Sequence, residues 1–187
     1  MPTIHKARRR ELHALSVALL LLIAMGSVVC HAQSATADEA QIRAAMLFNL
    51  TKFVEWPAEK MGGPQAPFIV GYVGDEAVGN ELNNLMRGKQ VQGKPILVQS
   101  ISNAAQSAQC HILFVASSGR KQYRLMAPEL SKEAVLVVSE RQLGDSGIVI
   151  GLPLVDNTIQ IQVDLKVARN TGLTISSKLL RIADVTR

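Results

Sequence analysis

Apolar residues at Ile42, Ala45, Met46, Leu50, Phe53 and Val54 recur at helical spacing behind overlapping capping choices at Thr36, Asp38, Glu39 and Gln41. They predict an amphipathic helix from Asp38 to Val54, stopped by Pro57. The period then changes. Gly62-Gly63-Pro64 and Pro67 form a loop, and Phe68-Ile-Val-Gly-Tyr-Val73 is a continuous apolar run of the length of a buried strand. A helix with Leu82, Leu85 and Met86 follows, then a strand at Ile96–Ile101, a short linking segment and a third strand at Cys110–Ala116. Gly119–Leu130 reads as a helix with Pro128 in its last turn, and Ala134–Ser139 as a fourth buried strand.

Strands and helices that alternate in this way predict a parallel sheet covered by helices. The end of the chain is patterned differently. Gly147–Leu152 and Thr158–Asp164 flank the turn signal Asp156-Asn157, and Ile159, Ile161 and Val163 alternate with polar residues, which predicts an antiparallel hairpin with one wet face. Leu165–Thr171 should be helical and closed by Gly172. Ile175, Leu179 and Ile182 predict a last amphipathic helix capped by Ser176. The expected fold is α/β, a three-layer sandwich with a mostly parallel central sheet and a C-terminal antiparallel hairpin.

Residues ahead of Asp38 follow another logic. Met1–Arg10 is basic, Ala14–Met25 is an apolar run short for a membrane span, and Gly26-Ser27 leads into small residues, the layout of a secretory signal peptide. Cleavage is expected after Ala32, so that residues 1–32 are the signal and 33–187 a single exported domain, soluble and not itself membrane-spanning. Val29 ahead of Cys30 argues against lipidation. An uncleaved signal-anchor is the alternative, since no charge lies between Leu12 and Cys30.

This reading changes what composition means. The chain has 187 residues, 48% hydrophobic and 19% charged, which excludes disorder and a disulfide-dense miniprotein. Its net charge of +5 points towards nucleic acid, but four of the twenty Lys and Arg residues lie in the first ten positions. Without residues 1–32, 155 remain, with 16 basic and 14 acidic groups and a net charge of +2. The case for nucleic acid then disappears, and Arg120-Lys121 with Tyr123-Arg124 reads as a solvated helix face. Only Cys110 survives, so the exported chain has no intramolecular disulfide.

No catalytic group assembles from the rest. His111 follows Cys110 in an apolar strand, where successive side chains point to opposite faces, so the two form no dyad. One histidine and one cysteine do not make a metal site, and no cofactor is expected. Gly71-Tyr-Val-Gly-Asp-Glu-Ala-Val-Gly79 has the place of a phosphate loop but not its spacing, and Asp75 and Glu76 would repel an anion. Ser176, Ser177 and Lys178 are too close along a helix to face one another. A crevice at the strand ends, with Gly74, Asp75, Ser117 and Ser118, is the candidate small-molecule site. At 100° per residue, Asn49 falls on the stripe of Ile42, Met46 and Phe53, and Phe48 on the opposite face. A polar residue inside and an aromatic one outside make Phe48, Asn49, Phe53 and Trp56 the candidate protein-contact patch.

Three segments carry a resemblance. Ala44-Ala-Met-Leu-Phe-Asn-Leu-Thr-Lys-Phe-Val-Glu-Trp-Pro57, Cys110-His-Ile-Leu-Phe-Val115 and Ala168-Arg-Asn-Thr-Gly-Leu-Thr-Ile-Ser-Ser-Lys-Leu-Leu-Arg-Ile-Ala183 resemble, in order and separation, signature segments of the YfiR-like periplasmic proteins of Gram-negative bacteria. The resemblance implies a periplasmic homodimer that is not an enzyme. Such a protein binds the periplasmic domain of an inner-membrane diguanylate cyclase, represses it, and so lowers cyclic di-GMP and biofilm formation. It also implies an outer-membrane OmpA-like lipoprotein as antagonist. Redox response through internal disulfides, a feature of the best-known members, has no counterpart here, because Cys110 stands alone. A periplasmic small-molecule sensor is the alternative function.

Overall fold

The structure, a computed structural model, describes residues 39–186. The signal segment and its cleavage site lie outside these residues. The first helix, α1 (residues 39–50), leads to a two-residue strand, β1 (Val54–Glu55), and a one-turn helix, α2 (Ala58–Met61). Then come β2 (Phe68–Val73), α3 (Glu76–Met86), β3 (Gln90–Val91), β4 (Lys94–Ser100), α4 (Ala104–Gln109), β5 (Ile112–Val115), α5 (Arg120–Leu130) and β6 (Leu136–Ser139). The rest consists of β7 (Ile150–Gly151), β8 (Leu154–Val155), β9 (Thr158–Ile159), β10 (Gln162–Asp164), α6 (Leu165–Asn170), β11 (Thr174–Ile175), α7 (Ser177–Leu180) and β12 (Asp184–Thr186).

The main sheet has eight strands in the order β12-β10-β7-β6-β5-β2-β4-β3. Pairing is parallel from β4 through β2, β5 and β6 to β7, as helical crossovers require, and antiparallel for β3 with β4 and for β7 with β10. β12 closes the far edge, parallel to β10. The C-terminal hairpin is present. Its strands β7 and β10 join the sheet, and its tip is the small β8–β9 ladder, where Asp156 (φ 47°) and Asn157 (φ 59°) take the left-handed turn geometry that suits a two-residue loop.

Alternation along the central strands divides the core into two layers. Phe68, Val70, Ile112, Phe114, Leu136 and Val138 point to one face, against Ala44, Leu47 and Leu50 of α1, Leu82 and Met86 of α3, and Leu179 of α7. Val73, Leu113, Val115 and Val137 point to the other, against Tyr123, Met126 and Leu130 of α5 and the alanines of α4. Helix, sheet, helix is the three-layer sandwich read from the sequence.

Several boundaries are corrected. The first helix ends at residue 50, not at Val54. There the N–H groups of Lys52 and Phe53 turn back three residues, to Asn49 O and Leu50 O at 3.0 Å each, and the Thr51 hydroxyl donates to Phe48 O at 2.6 Å. Val54 and Glu55 are thereby freed to pair with Ile175 and Thr174. The segment before Cys110 is a helix, α4, capped by Asn103, whose side chain accepts from Gln106 N–H at 3.0 Å. The last amphipathic helix shrinks to one turn: Leu179 is buried, Ile175 belongs to β11 and Ile182 is 70% exposed.

The phase of α1 is also corrected. Its buried face is Ala40, Ala44, Leu47 and Leu50, so that Ile42 is 51% exposed, Asn49 is exposed and Met46 is half-buried. Small residues let the helix axis approach the sheet closely, and that gain decides the face over the bulk of the outer residues.

Candidate functional site

No group of three or more His, Cys, Asp or Glu side chains able to hold a metal ion occurs among the described residues. Cys110 and His111 precede β5, which begins at Ile112 and not at Cys110, and they lie on opposite sides of the sheet: Cys110 in the layer of Leu113 and Tyr123, His111 stacked on Phe68. Cys110 is buried with its Sγ packed where Gly71 leaves room, and burial pushes its thiol up to about 12, so it has no thiolate character. Reductant is therefore expected to leave the melting temperature of the protein beginning after Ala32 unchanged; a loss of several degrees would reveal a disulfide. His111 stacks on Phe68 with ring centroids 4.4 Å apart and accepts the Ile69 N–H at 3.0 Å, a structural placement. Ser176 Oγ accepts from Lys178 N–H at 3.3 Å as the cap of α7, and no serine–lysine pair forms. The basic cluster of α5 is less solvated than its sequence implies. Arg120 and Arg124 both hold Asp145, at 2.6 and 2.9 Å, and Tyr123 is core, its hydroxyl donating to Ser146 O at 2.7 Å.

At the strand ends, the residues expected to line a crevice also serve the fold. Gly74 has φ 101°, and a Cβ there would sit 2.3 Å from Gly119 N. Asp75 uses its carboxylate to cap α3, accepting from Ala77 N–H at 2.8 Å. Ser117 N–H donates to Glu140, which also faces the buried Arg43 at 3.6 Å. Ser118 Oγ lies against Gly74. Asp75 and the Ser117 N–H are thus engaged in the fold, whereas Gly74, Ser117 and Ser118 are exposed at the strand ends. Because a Cβ on Gly119 would lie 2.3 Å from Val73 O, Gly119→Ala should destabilise the domain by about 2 kcal/mol; an unchanged denaturation midpoint would contradict this packing.

The exit of α1 is different. Trp56 does not belong to its surface: the indole is 7% exposed, donates to His111 O at 2.9 Å and meets Phe68 edge-on at 5.0 Å. The protein-contact expectation is corrected at that residue. Phe48, Asn49 and Phe53 remain at the surface, Asn49 exposed and the two aromatic residues half-buried. Ile42, Met46 and Asn49 form an outward stripe along α1. Beside it, Phe48 carries two cations near its ring, Lys89 Nζ at 4.5 Å and Lys52 Nζ at 5.3 Å from the centroid. Lys52 also donates to Asn49 Oδ1 at 2.9 Å.

Phe48, Thr51, Lys52, Val54 and Glu55 form one wall of an open groove of about 370 Å³, and Gln90, Val91 and Gln92 of the β3 hairpin form the other. Sequence reasoning found Phe48 but neither Lys89 nor the β3 wall. Only the four-residue spacing from Phe48 to Lys52 was a usable signal. The site has the makings of a recognition surface: apolar area, an aromatic side chain and exposed cations, without a nucleophile–base pair.

A family model described as YfiR/HmsC-like matches residues 40–184, which takes in almost all of the described chain. No curated protein matches the chain.

Proposed function

Given that the chain belongs to the YfiR/HmsC-like family, one of regulatory and not catalytic proteins, we propose that it is an exported repressor of an inner-membrane diguanylate cyclase. In this reading it resides in the periplasm after loss of residues 1–32, acts as a homodimer, and binds the cyclase's periplasmic domain. Cyclic di-GMP and biofilm formation fall as a result. An outer-membrane OmpA-like lipoprotein relieves the repression by taking up the protein.

The observation that carries the reading is the solvent-facing side of α1 and its exit, where Ile42, Met46, Phe48 and Phe53 are at least partly exposed. A binding protein represses by differential affinity: it must hold the inactive state of its target more tightly than the active one. A tenfold bias takes about 1.4 kcal/mol, within reach of a few apolar contacts.

The test is cyclic di-GMP in a deletion strain, complemented with the exported chain and, separately, with the chain lacking Met1–Ala32. A rise on deletion that only the exported form reverses supports the proposal. Unchanged cyclic di-GMP on deletion counts against it.

A further inference from the structure

One wall of the groove ends in an open strand edge. On β3, Ile96 N–H donates to Lys89 O at 3.3 Å, which makes Gln90 and Pro95 a non-hydrogen-bonded antiparallel pair and turns the N–H and C=O of Gln90 outward. Gln90 is exposed, and β3 is the last strand of the eight-stranded sheet. Val54 of β1 turns its N–H and C=O away from β11 in the same way, but it is only 2% exposed, so no strand can add there.

We propose that this groove binds an extended acidic segment of a partner protein, which adds as a strand to the open edge of β3 and sets carboxylates against Lys52 and Lys89 beside the Phe48 ring. Main-chain pairing accounts for the strand edge, since Gln90 offers a donor and an acceptor that another backbone matches. Charge selects the occupant. Lys52 in the groove wall and Lys89 near the Phe48 ring are exposed cations, while Glu55 stands in the wall and disfavours an unbroken acidic run. An aliphatic or aromatic side chain of the segment packs on Phe48 between the two lysines. This names a recognition mode for the partner surface proposed above, and it rests on that reading only for the partner's identity.

The experiment is selection of random displayed peptides on the immobilised folded protein, followed by affinity measurement on the synthesised winners. Winners should be extended and acidic, and Lys52→Glu with Lys89→Glu should weaken them at least about tenfold at an unchanged melting temperature. Binding should slow amide exchange at Gln90. N-methylation of alternate peptide residues should abolish binding, and of the intervening residues leave it. Winners without acidic bias, winners indifferent to the two reversals, no winners, or equal competition by free aspartate would overturn the proposal. Because binding is read on purified protein, a failure here is distinct from a failure of the cyclic di-GMP test.

Discussion

Trp56→Ala is expected to cost the domain about 4 kcal/mol and to lower the melting temperature by roughly 10 °C, whatever the partner. The indole fills the junction between the exit of α1 and the base of the sheet, edge-on to Phe68 at 5.0 Å and 6.4 Å from the His111 ring. Its removal leaves a cavity among residues fixed by β2 and β5, which cannot collapse far, and strips His111 O of the donor it has at 2.9 Å. A Trp56→Phe variant should recover much of the packing but not the hydrogen bond. Chemical denaturation of the two variants checks this. A Trp56→Ala protein as stable as the parent, yet unable to bind its partner, would put Trp56 back on the contact surface.

The second large effect concerns acid. His111 is buried against Phe68, and that burial, with the positive charges of Lys60 on α2 and of Lys94, pushes it from 6.5 down to about 4. Its ring Nδ1 accepts from Ile69 N–H at 3.0 Å, which fixes the neutral tautomer. The folded protein therefore holds the neutral imidazole. Above pH 6.5 both states are neutral there and the group contributes no pH dependence. As pH falls from 6.5 towards 4, the unfolded chain takes up a proton that the folded one refuses, and stability drops by about 1.4 kcal/mol per pH unit. At pH 5 the loss is about 2 kcal/mol relative to pH 7. His111→Asn, whose amide oxygen can still accept from Ile69, should remove this slope. Denaturant titrations at pH 7 and pH 5 on both proteins decide the matter: parallel losses would mean that His111 titrates normally.

Those two residues also show how far the amino-acid pattern reached. The strands β2, β5 and β6 were legible because they are buried on both faces and so have no polar positions to blur the run. The hairpin was legible from Asp156-Asn157, residues that tolerate the left-handed backbone they adopt. What escaped was decided at a distance. β1 and β11 are two residues each and exist because chain segments far apart in sequence meet, which no local period announces. α4, Ala-Ala-Gln-Ser-Ala-Gln, has too little apolar contrast to register.

The site was half legible for the same reason. The aromatic positions near the end of α1 were found from the helical wheel, but phase was assigned by the bulk of Ile42 and Met46, whereas the fold chose the face that let α1 approach the sheet, through Ala40 and Ala44. Phe48 kept a surface position and Trp56 lost one. The cations beside Phe48 come from two elements, Lys52 from the helix exit and Lys89 from the turn before β3, and only the folded chain brings them together.

Regulation by contact through the outward side of α1 is tested most directly by cyclase turnover. Membranes from the deletion strain, opened so that the periplasmic face is accessible and supplied with GTP, should synthesise cyclic di-GMP more slowly on addition of the purified protein. Ile42→Asp, at a side chain 51% exposed on the outer face of α1, should leave the melting temperature nearly unchanged and abolish the inhibition. Inhibition by the parent alone is the predicted result. Turnover untouched by saturating parent protein, or inhibited equally by Ile42→Asp, would contradict it.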